Sequence, residues 1–209
     1  MSFLFFYNIY YSPSLFKLYF KRGVNFKGTF LKNCKIKALD GAHIDIGPKT
    51  MMTNCIIRAT GSDSRIMIAG GATNIKNSSF VTGMSCGRIF IASGFTSEGS
   101  NLKAHEGKTI SIGTDCMFSA GINISTTDFH AIIQIDNEAR INPAKDITIG
   151  NHVWLCRNVD VLKGTIIADD IVVGMNSTIS CSVTVSHSVY AGSPARIVKK
   201  DTSWRRSLN

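Results

Sequence analysis

Residues 149–192 read IGNHVW LCRNVD VLKGTI IADDIV VGMNST ISCSVT VSHSVY AG, and this stretch decides the fold. The first residue of each block of six is aliphatic, the second is small in most blocks, and the fifth forms another mostly apolar series. A period of six fits neither the 3.6 residues of a helical turn nor the simple alternation of a strand. It predicts short strands joined by tight corners, where a crowded backbone requires a small residue.

Three such blocks would close one triangular coil, with one aliphatic residue on each edge pointing inward. Coils of about 18 residues then stack into a solenoid that buries one continuous core. The predicted inward stacks are Ile149, Ile167 and Val185 on one face, and Leu155, Val173 and Ala191 on the next. The stretch therefore predicts an all-β protein built as a parallel β-helix of hexapeptide repeats.

The same pattern recurs upstream as separate turns whose phases differ. These turns begin at Ile46-Gly47, Ile68-Ala69, Ile91-Ala92 and Ile112-Gly113. Between residues 126 and 146 no regular blocks of six can be threaded, which predicts a loop extruded from the solenoid. Loops on a rigid scaffold often carry function, so we expect the site at this loop.

The two ends of the chain differ from the repeat. We divide the sequence into an N-terminal aromatic and basic segment (1–37), a β-helix domain (38–198) and a basic C-terminal tail (199–209). Residues 1–20 lack the features of a signal peptide and are too interrupted by polar residues for a membrane span. Two interpretations stay open for residues 1–22: a short element packed on the fold or in a subunit interface, or a peripheral anchor on anionic lipid.

The net charge of +9 predicts an acidic partner, which leaves nucleic acid, membrane, a phosphorylated cofactor and acidic polysaccharide open. The lack of base-stacking motifs argues against nucleic acid. The six cysteines contain no C-x-x-C pair, which argues against a zinc ribbon and a thioredoxin-like motif. We expect a cytoplasmic protein, peripheral to the inner membrane if residues 1–22 are an anchor.

Several stretches resemble the hexapeptide-repeat acyltransferases. They are Ile149–Trp154, the closing Ala191–Lys199, and Asp128-Phe129-His130 with the following Arg140–Asp146. The likeness is greatest to the bacterial enzymes that O-acetylate surface polysaccharides, including polysialic acid, and it is strong from about residue 110 to 200. The resemblance implies a left-handed parallel β-helix, acetyl-CoA as co-substrate, no metal, and a homotrimer with active sites between subunits.

His130, at the start of the extruded loop, is the candidate general base. Attack of a sugar hydroxyl on a thioester needs a group that takes the hydroxyl proton, and imidazole titrates near neutrality. Trp154 follows 24 residues later. The resemblance implies that it sits beside the catalytic histidine and lines the acetyl-CoA site. Asp128 has two equally open roles, because it could orient the imidazole or cap the loop.

Other residues are candidates for binding. By their place in the motif, Arg157, Gly174, Met175 and Ser180 are expected along the pantetheine groove, although Met175 stands where alanine is usual in the family. Arg196 and Lys199 would supply cations for the 3′-phosphate. Arg140 and Lys145 are candidate contacts for a carbohydrate acceptor, in particular the carboxylates of sialic acid or polysialic acid.

Alternative functions stay open at this point. The acceptor could be a lipopolysaccharide sugar or a small molecule, or the chain could be a non-catalytic β-helical scaffold. A zinc site like that of the γ-carbonic anhydrases is weakly supported, because only His130 and His152 lie in the right neighbourhood.

Overall fold

A computed structural model describes residues 23–71, 73–84 and 86–208. The aromatic segment predicted at residues 1–22 therefore lies outside the described residues. Within the described part, no helix is long and apolar enough to cross a membrane. The strands run, in chain order, β1 (Val24–Asn25), β2 (Phe30–Lys32), β3 (Lys35–Leu39), β4 (His43–Ile46), β5 (Thr50–Thr53), β6 (Ile56–Thr60), β7 (Arg65–Ile68), β8 (Thr73–Lys76), β9 (Ser79–Gly83), β10 (Arg88–Ile91), β11 (Thr96–His105), β12 (Thr109–Ile112), β13 (Met117–Ser125), β14 (Ile147–Ile149), β15 (Trp154–Leu155), β16 (Asp160–Val161), β17 (Ile166–Ile167), β18 (Ile171–Val173), β19 (Thr178–Ile179), β20 (Ser188–Gly192) and β21 (Ala195–Lys199).

These strands wind into a left-handed parallel β-helix of about seven turns with three faces. The first face consists of β1, β4, β7, β10, β12, β14 and β17. The second contains β2, β5, β8, β15, β18 and β20, and the third contains β3, β6, β9, β16 and β19. The long strands β11 and β13 continue round a corner and belong to both the second and third faces. The predicted fold is confirmed.

One column of isoleucines runs along the inside of the first face. It contains Ile46, Ile68, Ile91, Ile112, Ile149 and Ile167, each in register with the next. The separate upstream turns therefore belong to the same solenoid as the regular repeat. Their phases differ because the coils before β12 take 21 to 23 residues from one column member to the next.

Each edge of the regular coils buries two side chains, not the one predicted. Leu155 and Val173 from the first series and Val159 and Ile171 from the second are all completely buried. The strands alternate, so outward residues such as Trp154 stand between buried neighbours. Two inward residues per edge pack the triangular interior, which accounts for the strict spacing of both series.

The corners adopt left-handed backbone conformations at every sixth position. Positive φ angles occur at His152, Asn158, Gly164, Asp170 and Asn176. Asn, Asp and His tolerate this conformation better than other residues with a side chain. The small residue that begins each corner has a different cause, since a Cβ added at Gly150 would lie 2.8 Å from the backbone of Ala168 on the next coil.

The last coil departs from the predicted register. Ile167 bridges to Val183, and Val173 pairs with Tyr190, so Val185 and Ala191 do not continue the inward stacks. Val185 is 42% exposed, whereas Tyr190 is buried. The prediction for these two residues was wrong because the large Tyr190 side chain fills the end of the core and the final coil is correspondingly shorter. After it, β21 turns back antiparallel to β20 and ends the solenoid.

At both ends, described strands and contacts lie outside residues 38–198. Parallel pairing begins with β1, upstream of residue 38. The tail after Lys199 is not a free basic extension, because its side chains pack back onto the coils.

Candidate active site

The extruded loop takes the place of one corner of the coil. It leaves the third face after β13 and returns to the first face at β14. One isolated bridge, between Ile133 and Arg140, is the pairing found inside it. The loop therefore lies where the hexapeptide repeat breaks, as predicted. Side-chain contacts hold it in place.

Arg140 ties the returning arm of the loop to Glu106 on the preceding coil. Its guanidinium donates hydrogen bonds of 2.6 and 3.1 Å to the two carboxylate oxygens, and the Thr127 hydroxyl donates to the same carboxylate. These bonds, that of Arg140 first, lower the pKa of Glu106 to about 2. We predicted Arg140 as an acceptor contact, but its guanidinium is engaged by Glu106 because paired bidentate geometry favours that partner.

Asn142 joins the two arms of the loop through its side-chain amide. The amide oxygen accepts a 2.8 Å hydrogen bond from the Ile132 backbone N–H. The amide nitrogen donates to the Asp128 carboxylate at 2.7 Å and to the His130 carbonyl at 2.9 Å. Asn142 is buried, so these bonds form out of competition with water. The backbone carbonyl of His130 is thereby fixed.

Asp128 is held by Lys163 from the following coil. The Lys163 ammonium donates to the Asp128 carboxylate and, at 2.9 Å, to the Asn142 carbonyl. The hydrogen bond from Lys163, followed by that from Asn142, lowers the pKa of Asp128. No hydrogen bond or ion pair joins Asp128 to the His130 imidazole within the described residues. Of its two predicted roles, the structure favours anchoring the loop.

Phe129 fixes the backbone on the other side of His130. Its φ of +63° is unusual for an aromatic residue. The ring lies edge-on to His105, with centroids 5.2 Å apart, and the Lys103 ammonium lies 5.3 Å from the ring centroid. The pKa of His105 is lowered, chiefly by burial and then by Lys103. His130 itself is exposed, so its imidazole is presented to solvent from a backbone held on both sides.

Trp154 lies on the second face, away from the loop corner. It projects outward from β15, in register with Met117 and Val172. Its indole N–H donates a 3.4 Å hydrogen bond to the Ser119 hydroxyl. The ring of Trp204 lies 6.1 Å from it, tilted by 49°. Trp154 therefore belongs to an aromatic cluster on this face.

The C-terminal tail completes that cluster. Trp204 is buried, stacks on His152 at 4.3 Å, and donates a 2.9 Å hydrogen bond from its indole N–H to the His152 carbonyl. Arg206 continues along the same corner and bonds Asp115 and the Gly94 carbonyl. These contacts run back across several coils and fasten the tail beside Trp154.

His152 has a structural role in this arrangement. Its left-handed backbone forms a corner, its Nδ1 lies 2.9 Å from the Asp170 carboxylate, and Trp204 covers its ring. These contacts make His152 a corner residue and leave its ring stacked under Trp204. Among the described residues no group of His, Cys, Asp or Glu converges as a metal site would.

The predicted site residues fall into two groups on different sides of the triangular coil. The loop-corner group is His130, Asp128, Arg140, Lys145 and Ser180. The second-face group is Trp154, Arg157, Gly174, Met175, Arg196 and Lys199. Ser180 stacks above Leu162, so it is separated from Gly174 and Met175, beside which it was predicted. Within the described part of one chain, no hydrogen bond or ion pair joins a residue of one group to a residue of the other.

Comparison with known proteins identifies the family. No protein-family model matches the chain. A polysialic acid O-acetyltransferase from Neisseria meningitidis is 35% identical over 189 residues, which cover 88% of this chain and 86% of that protein. The chain belongs to the polysialic acid O-acetyltransferase family. It is therefore an O-acetyltransferase with the hexapeptide-repeat fold, as its sequence predicted.

Solved structures of acyltransferases share its architecture. The polysialic acid O-acetyltransferase OatWY superposes with a TM-score of 0.86 at 32% identity, covering 90% of this chain and 89% of OatWY. The N-acyltransferase AntD from Bacillus cereus, solved as a point mutant in complex with dTDP and coenzyme A, has a TM-score of 0.55 at 16% identity and covers 96% and 93% of the two chains. The likeness to AntD supports the fold alone.

Sequence reasoning missed several residues that shape the site of this O-acetyltransferase. Glu106, Asn142 and Lys163 hold the loop, and Trp204 packs beside Trp154. For Trp204 a signal was present, since a tryptophan within a basic tail is unusual for a solvated segment. Glu106 and Lys163 lack such a signal because they contact the loop from other coils.

Proposed function

We propose that the protein transfers an acetyl group from acetyl-CoA to a hydroxyl of a bacterial surface polysaccharide, with sialic acid residues as the acceptor. His130 acts as general base, and each active site lies between two subunits of a homotrimer. The observation that carries this proposal is the exposed His130 imidazole on a backbone that Phe129 and Asn142 hold from either side. A fixed base facing solvent is poised to meet a large acceptor.

The separation of the two groups supports a site shared between chains. His130 is on the loop corner, whereas Trp154 is on the second face, across the triangular coil from that corner. The loop also carries isoleucines that a monomer would leave in water. They are Ile132, Ile133, Ile135 and Ile141, each at least 52% exposed. An apolar loop that inserts beside the second face of the next copy would bury these side chains and unite the groups.

In the proposed reaction, His130 takes the proton of the acceptor hydroxyl as the new ester C–O bond forms. The resulting imidazolium then returns the proton to the departing sulfur, so the enzyme ends in its starting state. Asp128 does not take part in this transfer. With Lys163 and Asn142 it maintains the loop geometry, because a shift of the imidazole by about 1 Å would cost much of the rate.

Acetyl-CoA is the proposed donor because the related AntD structure contains coenzyme A. On this chain, Trp154 offers an apolar wall with its N–H turned to Ser119, and Met175 stacks next to Arg157 on the adjoining corner. Arg157, Arg196 and Lys199 are exposed cations suited to the nucleotide phosphates. These groups lie at the end of the solenoid nearest β20 and β21.

The acceptor assignment follows the two polysialic acid O-acetyltransferases and the basic surface near the loop. Lys145 is exposed, and its stem packs on Gly164 at the loop corner. Lys103 lies next to Phe129 on the neighbouring coil. Since Arg140 and Lys163 are already paired within the loop, Lys145 and Lys103 are the cations that remain for sialic acid carboxylates.

The test is an acetyl-transfer assay with the purified full-length chain, labelled acetyl-CoA, and either oligosialic acid or a neutral oligosaccharide. We expect transfer to oligosialic acid, and a fall in kcat of at least about 100-fold for His130→Ala with acetyl-CoA binding retained. His43→Ala is the matched control, as His43 is exposed on the first face. Turnover by His130→Ala would reassign the base, and preference for the neutral glycan would reject the acceptor.

A further inference from the structure

Cys34 and Cys55 occupy the same position on two consecutive coils. Lys32 is in register with Thr53, and Lys35 is in register with Ile56. The cysteines between these pairs therefore stack on one another. Neighbouring strands are about 4.7–4.9 Å apart, which falls within the Cα separation of about 4.4–6.8 Å found in disulfides.

The two thiols point the same way and interact. Cys34 Sγ donates to the Lys32 and Met52 carbonyls at 3.3 and 3.4 Å, and Cys55 Sγ donates to the Thr53 and Ile75 carbonyls at 3.3 and 3.5 Å. Each sulfur thus bonds its own coil and the next one. The hydrogen bond between the thiols lowers the pKa of Cys34, and the same contact followed by burial raises that of Cys55.

The two cysteines differ in access. Cys34 is partly exposed, whereas Cys55 is 1% exposed. An oxidant in solution would therefore meet Cys34 first, and Cys55 would lie directly behind it. The other described cysteines, Cys86, Cys116, Cys156 and Cys181, have no cysteine at the matching position of a neighbouring coil.

We propose that Cys34 and Cys55 form a peroxide-oxidisable pair that closes a disulfide between the first two coils. The Cys34 sulfur attacks one oxygen of a hydroperoxide, the O–O bond breaks, and Cys34 becomes a sulfenic acid as water or an alcohol leaves. The Cys55 thiol then attacks that sulfur, forming the S–S bond and releasing one water. The two thiols lose two electrons, and these electrons reduce the peroxide.

The disulfide would change how the end of the solenoid is held. Hydrogen bonds and packing join the first coil to the second in the reduced protein. Closing the bond requires the two Cβ atoms to approach to about 3.5–4.5 Å, a small movement from the spacing of paired strands. The oxidised protein then resists unfolding from this end. The site is remote from the loop and from Trp154, so it does not depend on the proposed acetyl transfer.

Mass spectrometry of the full-length protein tests the pair. After hydrogen peroxide treatment and alkylation of the remaining thiols, trypsin should release peptide 33–35 joined to peptide 50–58, and dithiothreitol should separate them. Titratable thiols should fall from six to four. The midpoint of thermal unfolding should rise in the oxidised protein.

Two variants keep the test decisive. Cys34→Ser should leave Cys55 unoxidised and abolish the thermal shift, while Cys181→Ser, which removes an exposed cysteine, should leave the linked peptides unchanged. Far-ultraviolet circular dichroism of each variant confirms that it is folded. Over-oxidation of Cys34 without linkage to Cys55, or disulfides between chains through Cys181 alone, would overturn the proposal.

Discussion

Mixing two inactive variants tests whether each active site is built from two chains. His130→Ala removes the proposed base from the loop corner but leaves the second face intact. Trp154→Ala does the reverse. If the loop of one subunit meets the second face of the next, a mixed trimer contains some sites with both wild-type groups. Random mixing at equal amounts makes the loop competent in half of the sites and the face competent in half, so about one quarter of the sites should be active.

The assay measures acetyl transfer by co-expressed chains carrying different affinity tags, so that mixed trimers can be isolated. Each variant alone should be nearly inactive. Isolation removes the homotrimers, which make up about a quarter of a random mixture, and every mixed trimer then has one competent site in three. The isolated trimers should therefore regain about a third of the wild-type rate per site. As the matched control, His130→Ala chains with one tag are co-expressed with His130→Ala chains that carry the other tag. If mixed trimers stay as inactive as the single variants, His130 and Trp154 serve the same chain and the shared site is wrong.

Four further predictions concern the anchors and the ends of the fold. Because the pKa of Glu106 is lowered to about 2, its ion pair is complete above the ordinary carboxyl pKa of about 4.3 and is lost as the pH falls toward 2. Loss of this ion pair in acid should raise the hydrogen exchange of residues 126–146 in the wild-type protein. Glu106→Gln should abolish that acid-induced rise, and a retained rise would exclude this ion pair as its cause. Val183→Ala should lower the free energy of unfolding by about 2 kcal/mol in urea, whereas Val185→Ala should change it by less than about 0.5 kcal/mol; equal effects would contradict the register of the last coil. Trp204→Ala should raise KM for acetyl-CoA and alter Trp154 fluorescence with the fold retained, and unchanged values would make the tail irrelevant to the site. If residues 1–22 anchor the protein on lipid, deletion of residues 1–20 should move it from the membrane to the soluble fraction, and unaltered fractionation would reject the anchor.

The regular part of the fold could be predicted because its signal is local. Each hexad from Ile149 to Ile179 contains its own inward residues and its own corner, and the structure repeats them with the same spacing. The loop was also predictable, as it is the place where that spacing stops. The upstream coils were harder to join, because their extra residues shift the phase and only pairing in three dimensions restores the isoleucine column.

The end of the solenoid could not be derived from periodicity. Val185 and Ala191 fit the count of six, but the register depends on how much space the final side chains require. Tyr190 fills that space, and its hydroxyl accepts a hydrogen bond from the Val185 backbone N–H at 3.2 Å. The periodic pattern distinguishes apolar from polar residues but does not report side-chain size. It therefore could not predict the space that the Tyr190 ring requires.

Candidate site residues could be named from the sequence, but their arrangement could not. His130 stays a prediction from its chemistry and its place in the loop, whereas the contacts that hold this loop come from Glu106, Asn142 and Lys163. Lys163 pairs with Asp128 35 residues away, and Arg140 with Glu106 34 residues away. These sequence separations combine the residues of a coil with residues of the inserted loop. They therefore match no repeat in the sequence.

The C-terminal tail changes how the solenoid is expected to come apart. A stack of coils in which each touches only its neighbours can fray one coil at a time. Trp204 and Arg206 instead reach residues 52 and 112 positions earlier, His152 and Gly94. These tail residues couple distant coils into one cooperative unit. During translation, the growing stack would acquire that cooperativity only after residues 204–206 have left the ribosome.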